Sequence, residues 1–343
     1  MTLLKSREAI LALAILVLLA VVAARFPGFV RTANLANVLT DTSPLIILAL
    51  GQMVVILTKC IDLSMAANLA LSGMVAGLMN IAGVPLPLIL LAVIALGAAL
   101  GAVNGVLVWG LNIPSIVVTL GTMTIYRGTI FVLTGGKWIN AHQMTDGFKA
   151  FPRTVLLGLP VMTWIMAAIV LAFAVLIYRT PLGRAFFAVG GNPHAAVYTG
   201  ISVGRTQFAA FVIAGALAGL TGYLWVARYA VAYVDIAGGF ELDVVAACVI
   251  GGIAIAGGAG SVAGAVMGAI FLGIVKNALP VVGISPFWQM AISGTAILVA
   301  IAFNARSQGP KGRIILKAAE HGTCPHPPAA RFPPGWSRRC GAR

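Results

Sequence analysis

Apolar residues run through this chain in long stretches with short polar breaks. The stretches fall near residues 9–24, 44–58, 64–82, 86–111, 113–133, 156–178, 207–227, 243–259, 261–282 and 286–303. A helix needs about 20 apolar residues to cross the hydrocarbon core of a bilayer, so the pattern predicts about ten transmembrane helices, several of them short. The stretch at 44–58 is the shortest, and 243–259 is interrupted by Gly251, Gly252, Gly257 and Gly258. Short or glycine-broken spans are expected where backbone lines a cavity or packs inside a bundle. Pro85, Pro114, Pro160 and Pro286 stand near predicted helix starts, where a missing N–H costs little.

Composition points the same way. The 343 residues are 60% hydrophobic and 9% charged, against about a quarter charged in ordinary soluble domains. The predicted class is an all-α polytopic membrane protein, with residues 1–305 as one transmembrane domain. The 40 glycines suit helices that approach closely in lipid. The net charge of +14 is no nucleic-acid signal. About half of it sits in the tail 306–343, which holds eight Lys/Arg and one acid, and no basic run is interleaved with aromatics. That tail is rich in Pro and Arg, and its composition predicts disorder.

Charge bias does not orient the helical core. With the N-terminus inside, Lys5, Arg7, Lys59, Arg179, Arg184 and Arg205 face Arg25, Arg31, Lys137, Lys149, Arg153 and Arg228. The basic tail tips the balance toward an inner C-terminus. The N-terminal segment resembles a signal peptide but lacks a clear cleavage site, so a retained first helix is expected.

One polar interruption is the longest. Residues 179–206 read RTPLGRAFFAVGGNPHAAVYTGISVGRT and suggest a docking loop on the cytoplasmic side. Within it, GGNPHAA combines a Gly-Gly turn, a capping Asn192 and a short helix starting at Pro193. A weak internal repeat also appears. IDLSMAANLALSG (61–73) resembles ELDVVAACVIGG (241–252), and GAALGAVNG (97–105) resembles GSVAGAVMG (260–268). The similarity suggests two weakly repeated halves.

Catalytic motifs are missing. The nearest stretch to a P-loop, TGGKW at 134–138, lacks the loop length and the Ser/Thr. The four histidines are scattered, and the acids are too few for paired acid–base work. Cys60, Cys248, Cys324 and Cys340 form no CxxC pair, so neither a disulfide nor a metal site is expected. Neither a catalytic role nor a cofactor of its own follows from this chain. Among ionisable groups near spans, Asp62 and Asp243 read as helix caps. Arg127 reads as snorkelling or paired, and Lys276 as snorkelling. Gln52, Asn68, Asn104, Thr119, Thr122 and Thr124, with Asp62 and Ser64, read as a weakly polar lining suited to a hydroxyl-rich solute. Taken singly, each is expected to bond a neighbouring helix; the lining reading belongs to the group.

Four blocks carry a resemblance: IDLSMAANLALSG, NIPSIVVTLGTMTIYRG, TPLGRAFFAVGGNPHAAVYTGISV and ELDVVAACVIGGIAIAGGAGSVAGAVMGA. Together they resemble the membrane permease subunits of bacterial ABC sugar importers of the ribose type, including those for rhamnose and autoinducer-2, over roughly 30–305. GKWINAHQM and DTSPLIILALGQMVVILT look most like rhamnose permeases. The resemblance implies a multi-pass inner-membrane subunit that pairs with a second copy or a paralogue. It implies separate ATPase subunits that bind ATP and Mg, and a periplasmic sugar-binding protein. In it, 179–206 is the cytoplasmic coupling region, with Arg184, Gly190, Gly191, Asn192, Ala195, Ala196, Gly200 and Ile201 as the coupling residues and Arg184 as an anchor. The translocation pathway is expected at Gln52, Asp62, Ser64, Asn68, Asn104, Thr119 and Thr122. Two departures stand out. The family usually has Gly-Gly before IDLS, where this chain has Lys59-Cys60, and residues from about 320 onward look foreign to it. The rivals are an ion-coupled secondary sugar transporter and a membrane scaffold or receptor subunit.

Overall fold

The computed structural model describes residues 7–281, together with positions 283, 288, 291, 294 and 295. The stretch predicted at 286–303 and the tail 306–343 therefore lie outside the described residues, apart from those isolated positions. The described chain is mainly helical. Its helices are α1 (Arg7–Arg25), α2 (Thr32–Leu57), α3 (Met65–Ile81), α4 (Leu86–Gly110), α5 (Ser115–Thr134), α6 (Asp146–Ala150), α7 (Val161–Arg179), α8 (Pro181–Gly191), α9 (Pro193–Tyr198), α10 (Val203–Tyr229), α11 (Phe240–Ile250) and α12 (Val262–Val281). Among them seven are long and apolar enough to cross a membrane: α1, α2, α4, α5, α7, α10 and α12. Helix α3 is apolar but has 17 residues.

Three expectations need correction. The stretch at 44–58 is the end of a 26-residue helix, not the shortest span. Its first half looks polar, yet Thr40, Thr42 and Ser43 return their hydroxyls to the carbonyls of Ala36, Val38 and Leu39 at 2.6–2.9 Å, so their polarity is satisfied inside the helix. The stretch at 243–259 is not a span. Helix α11 ends at Ile250, and the following glycines take turns, with Gly252, Gly257 and Gly258 at positive φ. The interruption at 179–206 is not an open loop, because α8 and α9 fill most of it. Beside the helices stand two two-residue antiparallel ladders. Strand β1 (Ile139–Asn140) pairs with β4 (Val231–Ala232), and β2 (Val155–Leu156) with β3 (Leu159–Pro160).

Helix α2 is the axis of the bundle. From Leu45 to Leu57 every side chain is buried. Helix α10 packs beside it and meets α4 along a glycine seam. A Cβ at Gly97 would collide with the Gly215 carbonyl, at Gly101 with the Phe211 carbonyl, and at Gly219 with the Val93 carbonyl. Small residues every fourth position let these backbones touch. Gly264 and Gly268 of α12 make a comparable seam, but with Gly251 and Ala247 at the end of α11. Lipid would meet α1, whose Leu13, Leu16, Val17 and Val21 are all more than half exposed, and the outer faces of α4, α5 and α7.

Candidate functional site

Helices α8 and α9 form a compact pair between α7 and α10. Thr180 starts α8, its Oγ1 accepting from the Gly183 amide at 3.1 Å and donating to the Leu176 carbonyl at 2.6 Å. Pro181 follows at the first helical position, where its fixed φ suits the helix. Gly183 lies against the Leu176 and Ile177 carbonyls, where a Cβ would not fit. Thr180 and Gly183 therefore anchor α8. Arg184 is exposed, so the expectation that it anchors this region is corrected. Asn192 caps α9, its Oδ1 accepting from the Ala195 amide at 3.1 Å. The Gly-Gly pair is the last turn of α8 rather than a free turn. Gly200, at φ 81°, turns the chain toward α10.

The eight expected coupling residues fall on two faces. Arg184, Gly191, Asn192, Ala195 and Gly200 are exposed, Gly190 and Ala196 are buried, and Ile201 is intermediate. The exposed face also carries Val197 and Tyr198, which lie outside the expected set, the latter 91% exposed. An aromatic at the end of a short amphipathic helix is the signal that could have marked it.

The buried face meets a three-way junction. A Cβ at Gly190 would collide with the Leu57 carbonyl at the end of α2 and with the Gly258 amide after α11. That same Leu57 carbonyl accepts from the Gly258 N–H at 3.1 Å. Gly258 in turn lies against Gly190 and Gly191. Lys59 joins the junction in the left-handed region, at φ 65°. That conformation suits glycine better than lysine.

The expected pathway residues come together around the irregular segment 58–64, which links α2 to α3. Asp62 Oδ1 accepts from the Ser64 amide at 2.8 Å and from the Ser64 hydroxyl at 2.6 Å. Asn104 Nδ2 donates to Ser64 Oγ at 2.7 Å. With its side-chain amide oriented to satisfy both groups, Gln52 accepts from the Asp62 N–H at 3.2 Å and donates to the Asp62 C=O at 3.1 Å. Ser115 accepts from the Ile61 amide, and Thr119 donates to the Ile61 carbonyl. Thr122 donates to the Thr119 carbonyl at 3.3 Å. Asn68 stands apart, its Nδ2 bridging the Gly97 and Gly215 carbonyls between α4 and α10. All seven are buried. Irregular backbone inside a bundle needs such partners. Among the described residues, Asn104 Oδ1 is one buried atom without a partner.

A cavity of about 450 Å³ lies elsewhere, between α2, α10, α11 and α12, with none of those seven residues in its lining. Trp225, Tyr229, Tyr233 and Phe240 supply aromatic walls, with Trp225 5.0 Å from Phe240 and 5.1 Å from Tyr229 between ring centres. Its carboxylates are paired. Asp243 of α11 bonds Lys276 of α12. Asp41 of α2 receives two bonds from Arg228 of α10, at 2.8 and 3.1 Å. Asp235, at the exposed rim, lies 3.6 Å from Arg127. Two expectations change here and a third is narrowed. Asp243 sits inside its helix and holds a lysine, so it is not a cap. Lys276 is paired rather than snorkelling. Of the two readings of Arg127, snorkelling or paired, the second holds: it donates to the Val234 and Ile236 carbonyls at 2.8 Å. Lining residues come from five separate segments, so no local motif announces them.

Helix α10 has 27 residues, about 40 Å at 1.5 Å per residue. It starts beside α8–α9 and ends at the cavity, so the two features lie at opposite ends of the bundle.

Comparison with known proteins bears on both ends. A family model described as "Branched-chain amino acid transport system / permease component" matches residues 34–301. The ribose import permease protein RbsC of Escherichia coli K12 is 38% identical over 300 residues, covering 86% of this chain and 93% of RbsC. The autoinducer 2 import system permease protein LsrC of Enterobacter sp. strain 638 is 37% identical over 305 residues, covering 89% of this chain and 88% of LsrC. LsrC of Klebsiella pneumoniae is 36% identical over 305 residues, with 89% and 88% covered. No solved structure matches.

Proposed function

Because the chain belongs to the family of permease components of branched-chain amino acid transport systems, we propose that it is the membrane permease subunit of an ATP-driven importer for a monosaccharide. Its site is the bacterial inner membrane. Two permeases, this chain with a second copy or a paralogue, enclose the route. Separate ATPase subunits hold ATP and Mg, and a periplasmic binding protein delivers the sugar. The substrate reading rests on relatives named for ribose and autoinducer 2 import and on the rhamnose-like segments noted above. Residues 1–305 form the transport domain, with 179–206 as its coupling region and 306–343 as an appended tail.

The observation that carries the reading is the pair α8–α9. Its outer face, with Arg184, Asn192, Ala195, Val197 and Tyr198, is free to enter a cleft on an ATPase. Its inner face touches two connections of the bundle, backbone to backbone, through Gly190. A push on α9 thus reaches α2 and the segment between α11 and α12 without passing through flexible side chains. Ala196 and Ile201 hold α9 to the bundle in this scheme, and Gly200 sets its exit. The buried polar seam around Asp62, Ser64, Gln52, Asn68, Asn104, Thr119 and Thr122 is then the surface that shifts as the route opens. Asn104 Oδ1 can accept from a passing sugar hydroxyl.

The ion-coupled alternative is set aside. A family of permease components acts within larger systems. In addition, of the two carboxylates such a carrier would use, Asp243 is held by Lys276 and Asp62 accepts from the amide and hydroxyl of Ser64.

Reconstitution in liposomes with the ATPase and the binding protein tests the proposal. ATP should drive sugar uptake. Gly191→Pro or Asn192→Asp should leave the chain in the membrane but uncouple uptake from ATP hydrolysis. Normal uptake in both variants would refute the docking role of α8–α9.

A further inference from the structure

The cavity at the far end of α10 has no part in the docking argument, yet it has the makings of a binding site. Its volume of about 450 Å³ falls within the roughly 300–1,000 Å³ of small-molecule sites. Trp225, Tyr229 and Phe240 offer flat apolar faces for the C–H side of a sugar ring. The Asp243–Lys276 pair offers an acceptor and a donor side by side for its hydroxyls. Ionisable groups buried among membrane helices are costly to keep and mark ligand routes. Here Asp243 is neutralised by Lys276 within the lining, and Asp41 by Arg228 from behind it, while Asp235 lies at the exposed rim. With both inner carboxylates already paired, the site favours a neutral, hydroxyl-rich ligand over a metal ion, and its excess of acids disfavours a phosphate or a carboxylate.

Position strengthens the case. The cavity is built from α2, α11 and α12, and these elements or their connections meet Gly190 at the other end. Asp41 and Leu57 belong to one helix, and Gly258 lies between Asp243 and Lys276 in the chain. A ligand that bridges Asp243 and Lys276 therefore holds two helices whose connection touches the coupling junction.

We propose that this cavity is a monosaccharide-binding station within the permease itself, on the face opposite α8–α9. This rests on the reading of the chain as a sugar permease. The station receives sugar as it leaves the binding protein and retains it until the route opens.

The test is equilibrium binding of tritiated D-ribose and L-rhamnose to the purified permease–ATPase complex in lipid nanodiscs, without binding protein. Saturable binding of one sugar is expected. It should weaken at least tenfold in Tyr229→Ala and in the double variant Asp243→Asn with Lys276→Met. The double variant removes both charges together, so it leaves no unpaired ion to unfold the bundle. ATPase retention on the nanodisc-embedded variants reports that the fold is intact. Absence of saturable binding, or binding unchanged in both variants, overturns the station. ATP-driven uptake by the full assembly is measured beside it. Uptake without permease binding overturns the station and leaves the permease reading standing. Variant-sensitive binding without ATP-driven uptake upholds the station and overturns the importer reading.

Discussion

The two ends of this bundle are built from different materials. At the α8–α9 end, segments meet backbone to backbone. Gly190, Gly258 and the Leu57 carbonyl touch with no side chain between them. At the cavity end, helices are held apart by aromatic rings and joined by ion pairs between Asp41 and Arg228 and between Asp243 and Lys276. Backbone contact is stiff and passes displacement faithfully. Side-chain contact around a cavity can rearrange to admit a ligand. A transporter driven from one side needs the first property where force enters and the second where substrate is held.

The largest effect should come from breaking the stiff end. Gly190→Leu places a side chain on the Leu57 carbonyl and the Gly258 amide, and should abolish ATP-driven uptake. Gly191 has nothing within 4 Å of where its Cβ would be, so Gly191→Ala should transport normally. The pair of uptake assays thus compares adjacent glycines, and equal behaviour would dissolve the junction. Next comes the ion pair. Lys276→Met alone strands the buried Asp243, a change that costs about 3 kcal/mol or somewhat more where a pair is broken on one side. Adding Asp243→Asn should recover most of that loss. Thermal unfolding of the single and double variants in nanodiscs measures the recovery.

Smaller effects bear on the seam between the two ends. Gly101→Leu forces α4 away from the Phe211 carbonyl of α10 and should destabilise by about 1–3 kcal/mol, as overpacking does. The same melting assay reads it. The smallest change is at Lys59, exposed and at φ 65°. Left-handed backbone costs a non-glycine residue about 1–2 kcal/mol, so Lys59→Gly should raise the melting temperature slightly without loss of uptake. A fall would show that the lysine side chain has a role at the junction.

Much of this was readable from sequence, for physical reasons that differ from element to element. Helices α4, α5 and α12 announce themselves because they are apolar nearly throughout. Asn192-Pro193 announces α9, because a cap and a first-turn proline are local signals. The first half of α2 does not, since Thr40, Thr42 and Ser43 look polar until their bonds to preceding carbonyls are seen. Helix α8 was hidden by its glycines, although Thr180-Pro181 is a start signal of the same kind as Asn192-Pro193. The cavity was not legible at all. Asp243 and Lys276 are 33 positions apart, and each taken singly looks like an ordinary cap or snorkelling residue. Their meaning lies in the pairing, which only the fold supplies. Of the polar residues that did stand out, Gln52, Asp62, Ser64, Asn104 and Thr119 hold the irregular segment 58–64, while Asn68 bridges α4 and α10.

The central claim is that α8–α9 is where an ATPase docks, and co-purification from native membranes tests it most directly. The chain, tagged at its N-terminus, would be extracted in mild detergent, and its companions identified by mass spectrometry. It would be compared with a Val197→Ala, Tyr198→Ala variant that removes the exposed apolar edge of α9. An ATPase subunit that accompanies the intact chain and is lost from the variant is the predicted result. A chain that purifies without any ATPase, yet moves sugar in liposomes under an ion gradient, would contradict it.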